Sequence, residues 1–222
     1  VDPSVTARVP VFISRDNRYF QDAFQGMPID GYTRLFENLL GHEKITVCLG
    51  TEAESVFDLV FAGREEDAPL EAIHIKGASF EGPIVYTGPL DELFLGRFGR
   101  LPYRSLDFVY ETFDETYHLP CGTVNYTVTE DYTRITEQTG DKTTIMREYS
   151  RAYEDPATQI PYYAIINDDN DALYARYRRL TDALPNFHPL GRLAEYRYFN
   201  MDKVVADALA ASEKILTETA DA

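Results

Sequence analysis

A mixed α/β (α+β) chain, with an antiparallel β-sheet inserted between two α/β pieces, is the fold class the sequence predicts. Three observations carry it. Helical periodicity passing into an apolar strand-like run occurs near both ends, in "GYTRLFENLLGHEKITVCLG" and in "NDALYARYRRLTDALPNFHPL". Between Leu101 and Tyr153 the chain instead repeats β-branched and aromatic residues, the composition of pleated, half-buried surface. Gly- and Pro-containing turns separate those runs.

In chain order, Leu35, Phe36, Leu39 and Leu40 mark a short helix ended by Gly41, and a strand is expected around Ile45, Val47 and Leu49. "VFDLVFAG" and "EAIHIKG", separated by the acidic turn "REEDAP", predict a small hairpin or meander. "GPIVYTGPLD" reads as a buried strand running into a Gly-Pro loop. Then "YRSLDFVYETF", "GTVNYTVT", "YTRITEQTG" and "TTIMREYSRAY" supply the strands of the antiparallel sheet, with a hairpin turn at Gly140 and Asp141. Leu173, Tyr177 and Leu180 share a helical face that Pro185 closes, a strand follows near Phe187 to Leu190, and a final helix completes the chain. That last helix has Asn200 as N-cap, Met201 to Lys203 as first turn, and Val204, Val205, Leu209, Ile215 and Leu216 as apolar stripe.

Composition narrows the function classes. The chain has 222 residues and a formal net charge of −16, which disfavours nonspecific attraction to nucleic acid or an anionic membrane. Cys48 and Cys121 lie far apart without CxxC or a nearby His pair, so free thiols in a reducing cytoplasm are expected. No apolar run reaches the length of a membrane span, and "VDPSVTARVPVF" has neither the regions of a signal peptide nor an initiator Met, which suggests a processed or excised chain. His42, His74, His118 and His188 share no ligand spacing, and "REEDAP" and "NDDND" lack the pattern of a calcium loop; no metal is expected.

The residues with chemical promise are cationic and phenolic. A guanidinium presents a planar fork to phosphate, and a tyrosine hydroxyl adds a neutral hydrogen bond. "DYTRIT", "IPYYAI" and "GRLAEYRYFN" supply Arg134, Tyr162, Tyr163, Arg192, Tyr196, Arg197 and Tyr198, which would form a diphosphate clamp if they converge. Singly, each is better explained by packing or by a solvated face. The helix that follows offers unpaired amides and a partial positive charge at its start, a place for an anionic group.

The runs "IVYTGPLDELF", "GRLPYRSLDF", "VNYTVTEDYTRITEQ", "MREYSRAY", "PYYAI" and "GRLAEYRYFNMDKVVADAL", in that order, resemble the bacterial UDP-galactopyranose mutases. The earlier "RVPVFISRDNRYFQDAFQGMPIDGYTRLFENLL" is similar to the segment that precedes them in that family. The resemblance implies a flavoenzyme interconverting UDP-galactopyranose and UDP-galactofuranose, in which N5 of reduced FAD attacks the anomeric carbon and the adduct reopens and recloses without net redox change. It implies a partial FAD-binding Rossmann-like domain of the amine-oxidase type: residues 1–100 as lid loop and part of the flavin domain, 101–165 as the sheet-built substrate domain, 166–222 returning to the flavin domain. By the same resemblance Arg134, Tyr163 and Tyr198 meet the substrate diphosphate, and Asn125 lies near the nucleotide or sugar. Arg8 is the arginine of a mobile loop closing over substrate. Thr87, Gly88, Gly191, Arg192, Asn200 and Met201 line the flavin. Tyr196 and Arg197 keep their reading as packing and surface residues. A UDP-galactose substrate in the cytoplasm is the implied partner, and a homodimer is one assembly left open.

Three departures from the family pattern stand out. There is no GxGxxG fingerprint and no Trp, so about the first two-fifths of a family member has no counterpart here, and tight FAD binding or turnover by this stretch alone is not expected. The family's "YRYxDM" reads "YRYFNM", with Asn200 for Asp, and Ala164 replaces the usual proline after "PYY". Two other classes stay open at this level: a redox flavoenzyme of amine-oxidase-like architecture, and a non-enzymatic UDP-sugar-binding module. Stabilisation by UDP separates the first of these from a mutase, and flavin content separates the second.

Overall fold

A computed structural model describes residues 13, 15, 22–139 and 142–220. They fall into two units, Val1–Val56 and Phe57–Ala222. The sheet and the helices expected around it belong to the second unit.

In the first unit, helix α1 spans Gly31–Leu40 and ends at Gly41, as its apolar spacing predicts. Leu35, Phe36, Leu39 and Leu40 are nevertheless exposed. The strand expected around Ile45, Val47 and Leu49 does not form. The Ile45 amide is spent on a turn, donating to the His42 carbonyl at 2.9 Å, and the three apolar side chains are exposed. Alternation without a neighbouring strand to accept its hydrogen bonds is insufficient.

The second unit opens with a meander, β1 (Phe57–Phe61), β2 (Leu70–Ile75) and β3 (Ala78–Ser79), antiparallel throughout. Lys76 (φ 50°) and Gly77 (φ 78°) form the two-residue turn between β2 and β3, the positive-φ pair that matches strand twist, and Asp58 accepts the Gly77 N–H at 2.8 Å. β4 (Ile84–Tyr86) buries Ile84 and Tyr86 and runs into the short helix α2 (Leu90–Leu93).

The antiparallel sheet contains β5 (Tyr103–Phe113), β6 (Thr123–Asn125), β7 (Arg134–Gln138), β8 (Thr143–Ala152) and β9 (Tyr163–Ala164), in the order β6-β7-β8-β5-β9. The turn expected at Gly140 and Asp141 lies outside the described residues, although β7 and β8 pair antiparallel on either side of it. α3 (Asp168–Thr181) starts at Asn167, whose side chain accepts the Asn170 N–H at 2.9 Å, and it buries Tyr177 and Leu180 from the expected face. β10 (Phe187–Pro189) then pairs parallel with β4. α4 (Met201–Ala220) begins where Asn200 predicts, the Asn200 carbonyl accepting the Val204 N–H at 3.2 Å. Its expected stripe is not a buried one: Val205, Leu209 and Leu216 are exposed.

Tyrosines join these layers. The Tyr177 hydroxyl accepts the Phe98 N–H at 2.9 Å and donates to the Gly99 carbonyl at 2.6 Å, while the buried Tyr196 hydroxyl shares its one proton between the Pro102 and Ile165 carbonyls, at 2.6 and 3.1 Å. Each such ring fills core volume and ties loop backbone to it, Tyr196 adding to carbonyls that also accept the Ile165 N–H and Asn170 Nδ2. The tyrosine-rich composition thus builds the scaffold as well as the candidate site.

Candidate functional site

Antiparallel register puts directly opposed residues on one face of the sheet. One row runs Asn125, Arg134, Glu148, Phe108 across four strands. Arg104, two alternations along β5 from Phe108, opposes Tyr163, so Tyr163 and the Asn125–Arg134 pair share this face.

At one end of the row, Arg134 Nε donates to Asn125 Oδ1 at 2.8 Å, and its Nη1 lies 3.7 Å from Glu148 Oε1. Glu148 is buried, whereas Arg134 remains partly exposed. The guanidinium is therefore aimed by an amide on one strand and a carboxylate on another, with donors left over for a ligand anion.

At the other end, Tyr163 on β9 stacks on Tyr198, with ring centroids 5.8 Å apart and planes at 16°. Arg192 lies against both rings, its Cζ 5.2 and 4.5 Å from the two centroids. Tyr196 is buried and Arg197 exposed, as their packing and surface readings expect. Strand spacing of about 4.8 Å and a rise of about 3.4 Å per residue put the Cα atoms of Arg134 and Tyr163 roughly 20 Å apart. That separation is one for a ligand to span and not one of direct contact.

The cofactor candidates gather at a different feature. β4 and β10 are parallel neighbours, and the Leu190 N–H donates to the Tyr86 carbonyl at 2.9 Å just past their ends. Thr87 and Gly88 thus leave one strand beside Gly191 and Arg192 leaving the other, and the crevice beyond the carboxyl ends of parallel strands is where open α/β sheets hold ligands. Gly191 (φ 88°) needs its lack of a Cβ for the turn itself, whose closure is the Gly191 N–H to Glu195 Oε2 bond at 2.8 Å. At Gly88 a Cβ would fall 2.6 Å from the Tyr86 hydroxyl, so that glycine answers to its own neighbour. Asn200 and Met201 stand exposed at the start of α4. Arg8 lies outside the described residues.

Glu148 and Arg104 escaped sequence reasoning, because only the strand register brings them to this face. Period-2 alternation in "TTIMREYSRA" does separate Glu148 from Ile145 and names its face, but not its opposite number. Among the described residues no three His, Cys, Asp or Glu side chains gather as a metal site, and no helix is long and apolar enough to cross a membrane.

Comparison with known proteins bears on the same span. The family model described as UDP-galactopyranose mutase matches residues 1–198. The UDP-galactopyranose mutase of Mycoplasma pneumoniae is 35% identical over 97% of this chain and 54% of its own length. A probable UDP-galactopyranose mutase of Klebsiella pneumoniae is 34% identical over 98% of this chain and 53% of its own. The dTDP-fucopyranose mutase of Escherichia coli is 30% identical over 96% and 54% respectively. The chain spans about half the length of the curated relatives it matches. With the model covering most of its residues, the chain belongs to the UDP-galactopyranose mutase family.

Proposed function

We propose that this chain carries the diphosphate-recognising part of a mutase that interconverts UDP-galactopyranose and UDP-galactofuranose. The observation that supports it most is the shared sheet face, with Arg134 and Asn125 at one end and Tyr163, Tyr198 and Arg192 at the other. Arg134 offers a fixed positive charge to the phosphate oxygen that gains negative charge as UDP departs, and the tyrosine hydroxyls hold the diphosphate through the reaction by neutral hydrogen bonds. Ring contraction requires the sugar to leave and rejoin the same phosphate, so holding UDP in place is the protein's main task.

FAD in its reduced form is the cofactor of this reading, and the chemistry it supplies is a nucleophile for the anomeric carbon. Residues suited to hold it are Thr87, Gly88, Gly191 and Arg192 beyond the ends of β4 and β10, with Asn200 and Met201 at the start of α4. The turn backbone and the helix start offer N–H groups there, the donor type that flavin carbonyls accept. In this reading β4, β10 and the helices around them are a portion of a Rossmann-like flavin domain, the antiparallel sheet is the substrate domain, and Arg8 sits on the loop closing over substrate. A cytoplasmic setting suits the two free, exposed cysteines. The Escherichia coli relative is named for a dTDP sugar. The residues named here address diphosphate rather than base, so UDP is preferred on the relatives named for it.

The test is thermal protection. UDP at a hundredfold excess over its Kd should stabilise the chain by about 2.7 kcal/mol, and Arg134→Ala should remove most of that protection. Absence of protection, or equal protection of the variant, overturns the reading. Supplied with dithionite-reduced FAD, the full-length protein should isomerise UDP-galactofuranose.

A further inference from the structure

Arg192 contacts more of the candidate site than any role at a cofactor alone requires. Its guanidinium is within cation–π range of Tyr163 and Tyr198 together, and those rings are already stacked on one another. Its Nη2 donates to the Phe199 carbonyl at 2.5 Å and its Nη1 reaches the Tyr162 carbonyl at 3.5 Å. Those carbonyls adjoin Tyr198 and Tyr163 respectively, so one planar group is tied to both rings and to the backbone that carries each. Its own backbone is held by the turn beyond β10, where the Arg192 carbonyl accepts the Arg197 N–H at 3.1 Å and the Gly191 carbonyl the Glu195 N–H at 3.0 Å.

We propose that Arg192 is a positioning residue that sets the spacing and tilt of Tyr163 and Tyr198, and thereby couples the Gly191 turn beyond β10 to the diphosphate site. The proposal rests on the diphosphate reading above. Tyr163 lies on an edge strand with two paired residues and Tyr198 in the irregular stretch before α4, so neither ring is set by an extended backbone ladder. A guanidinium can do so because its fork fixes direction while its flat face lies on a ring. An ammonium of equal charge has neither property. Coupling follows because movement of the Gly191 turn carries the guanidinium, and with it both hydroxyls, towards or away from the ligand.

A double-mutant cycle read by calorimetric UDP titration tests this, using Arg192→Lys, Tyr198→Phe and the pair. Arg192→Lys keeps the charge and is expected to weaken UDP binding about tenfold, the scale of one partly desolvated cation–π contact. The pair should be little weaker than the worse single variant, because an unbraced tyrosine has already lost its bond. The near-ultraviolet circular dichroism of the tyrosines should shift in Arg192→Lys without UDP, and Arg192→Gln, which keeps a planar head, should restore part of it. Additive penalties, or UDP binding by Arg192→Lys as tight as that of the parent, overturn the brace while leaving the diphosphate reading intact. Absence of UDP binding by the parent chain removes both. If Arg192→Lys does not fold, the same cycle with Arg192→Gln decides between the same outcomes.

Discussion

Arg134 and Asn125 oppose one another across β6 and β7, and a 2.8 Å hydrogen bond from Nε to Oδ1 joins them. The bond occupies the inner edge of the guanidinium and leaves terminal nitrogens for a ligand. Asn125→Leu should therefore weaken UDP binding roughly three- to tenfold, the equivalent of one charge-assisted hydrogen bond's orienting effect. The position is exposed, so the melting temperature should barely move. Calorimetric titration beside a melting curve checks both halves, and an unchanged affinity would show that Arg134 needs no such guide.

Asp91 makes a different prediction, in stability against pH. The residue is 3% exposed, and burial raises its carboxyl to about 6; the Leu101 N–H that Oδ2 accepts at 3.1 Å offsets only part of this, and Glu92 adds to it. Oδ1 has no hydrogen-bond partner. Because the folded state disfavours the ionised form, the contribution is best below about pH 4 and deteriorates as pH rises to about 6, by about 3 kcal/mol in total. Asp91→Asn keeps an acceptor for Leu101 and removes the charge. Its melting temperature should exceed the parent's at pH 8 and match it at pH 4; a lower value at both pH values would sink the argument.

Glu137 has the opposite sign. It lies on the sheet face away from Arg134, and its carboxylate is held below the usual range first by the His118 N–H; desolvation opposes this, and the Thr143 hydroxyl and the Leu119 N–H add further lowering. The stabilisation is present above about pH 4.5, the ordinary value, and is lost as pH falls through the lowered folded value. The protection factors of the His118 and Leu119 amides should fall as pH drops below the ordinary carboxylate range and, in Glu137→Gln, should be low already at pH 7. Protection in the variant equal to that of the parent would contradict this assignment.

What sequence reading recovers here follows the range of the interaction. The runs that became β5, β7 and β8 are legible because alternation is local, as is the Asn167–Asn170 start of α3, where a side chain bonds three residues on. Ile45 to Leu49 alternate equally well and form no strand, because a ladder needs a partner that local pattern cannot supply. For the site, "YTRI", "PYY" and "YRY" name residues that the fold does bring onto one sheet face or against one another, namely Arg134, Tyr163 and Tyr198. Glu148 behind Arg134, and the position of Arg192 against both tyrosines, depend on register and on a turn closing after β10. No periodicity encodes either.

Tyr196 joins that turn to the rest of the fold, and the last prediction concerns it. Its hydroxyl shares one proton between two carbonyls, Pro102 just before β5 and Ile165 just after β9, while its ring packs edge-on against Tyr103 at 5.3 Å and stacks on Tyr174 at 5.7 Å. Tyr196→Phe keeps the ring contacts and removes one of two donors from each carbonyl, since Pro102 still accepts the Ile165 N–H at 3.1 Å and Ile165 the Asn170 Nδ2 at 2.6 Å. The cost is that of a net hydrogen bond, about 0.5–1.5 kcal/mol. For a domain of this size that is a fall of roughly 1–6 °C in melting temperature. Tyr196→Ala also removes the ring and should cost about 3–5 kcal/mol. The residue sits at φ 50°, where a non-glycine backbone is itself strained, so part of the hydroxyl's contribution goes to holding that conformation. Adding Tyr196→Asn to the series tests this, because asparagine tolerates positive φ. Asparagine should recover some of the stability that alanine loses, whereas equal losses would mean that packing alone holds the turn.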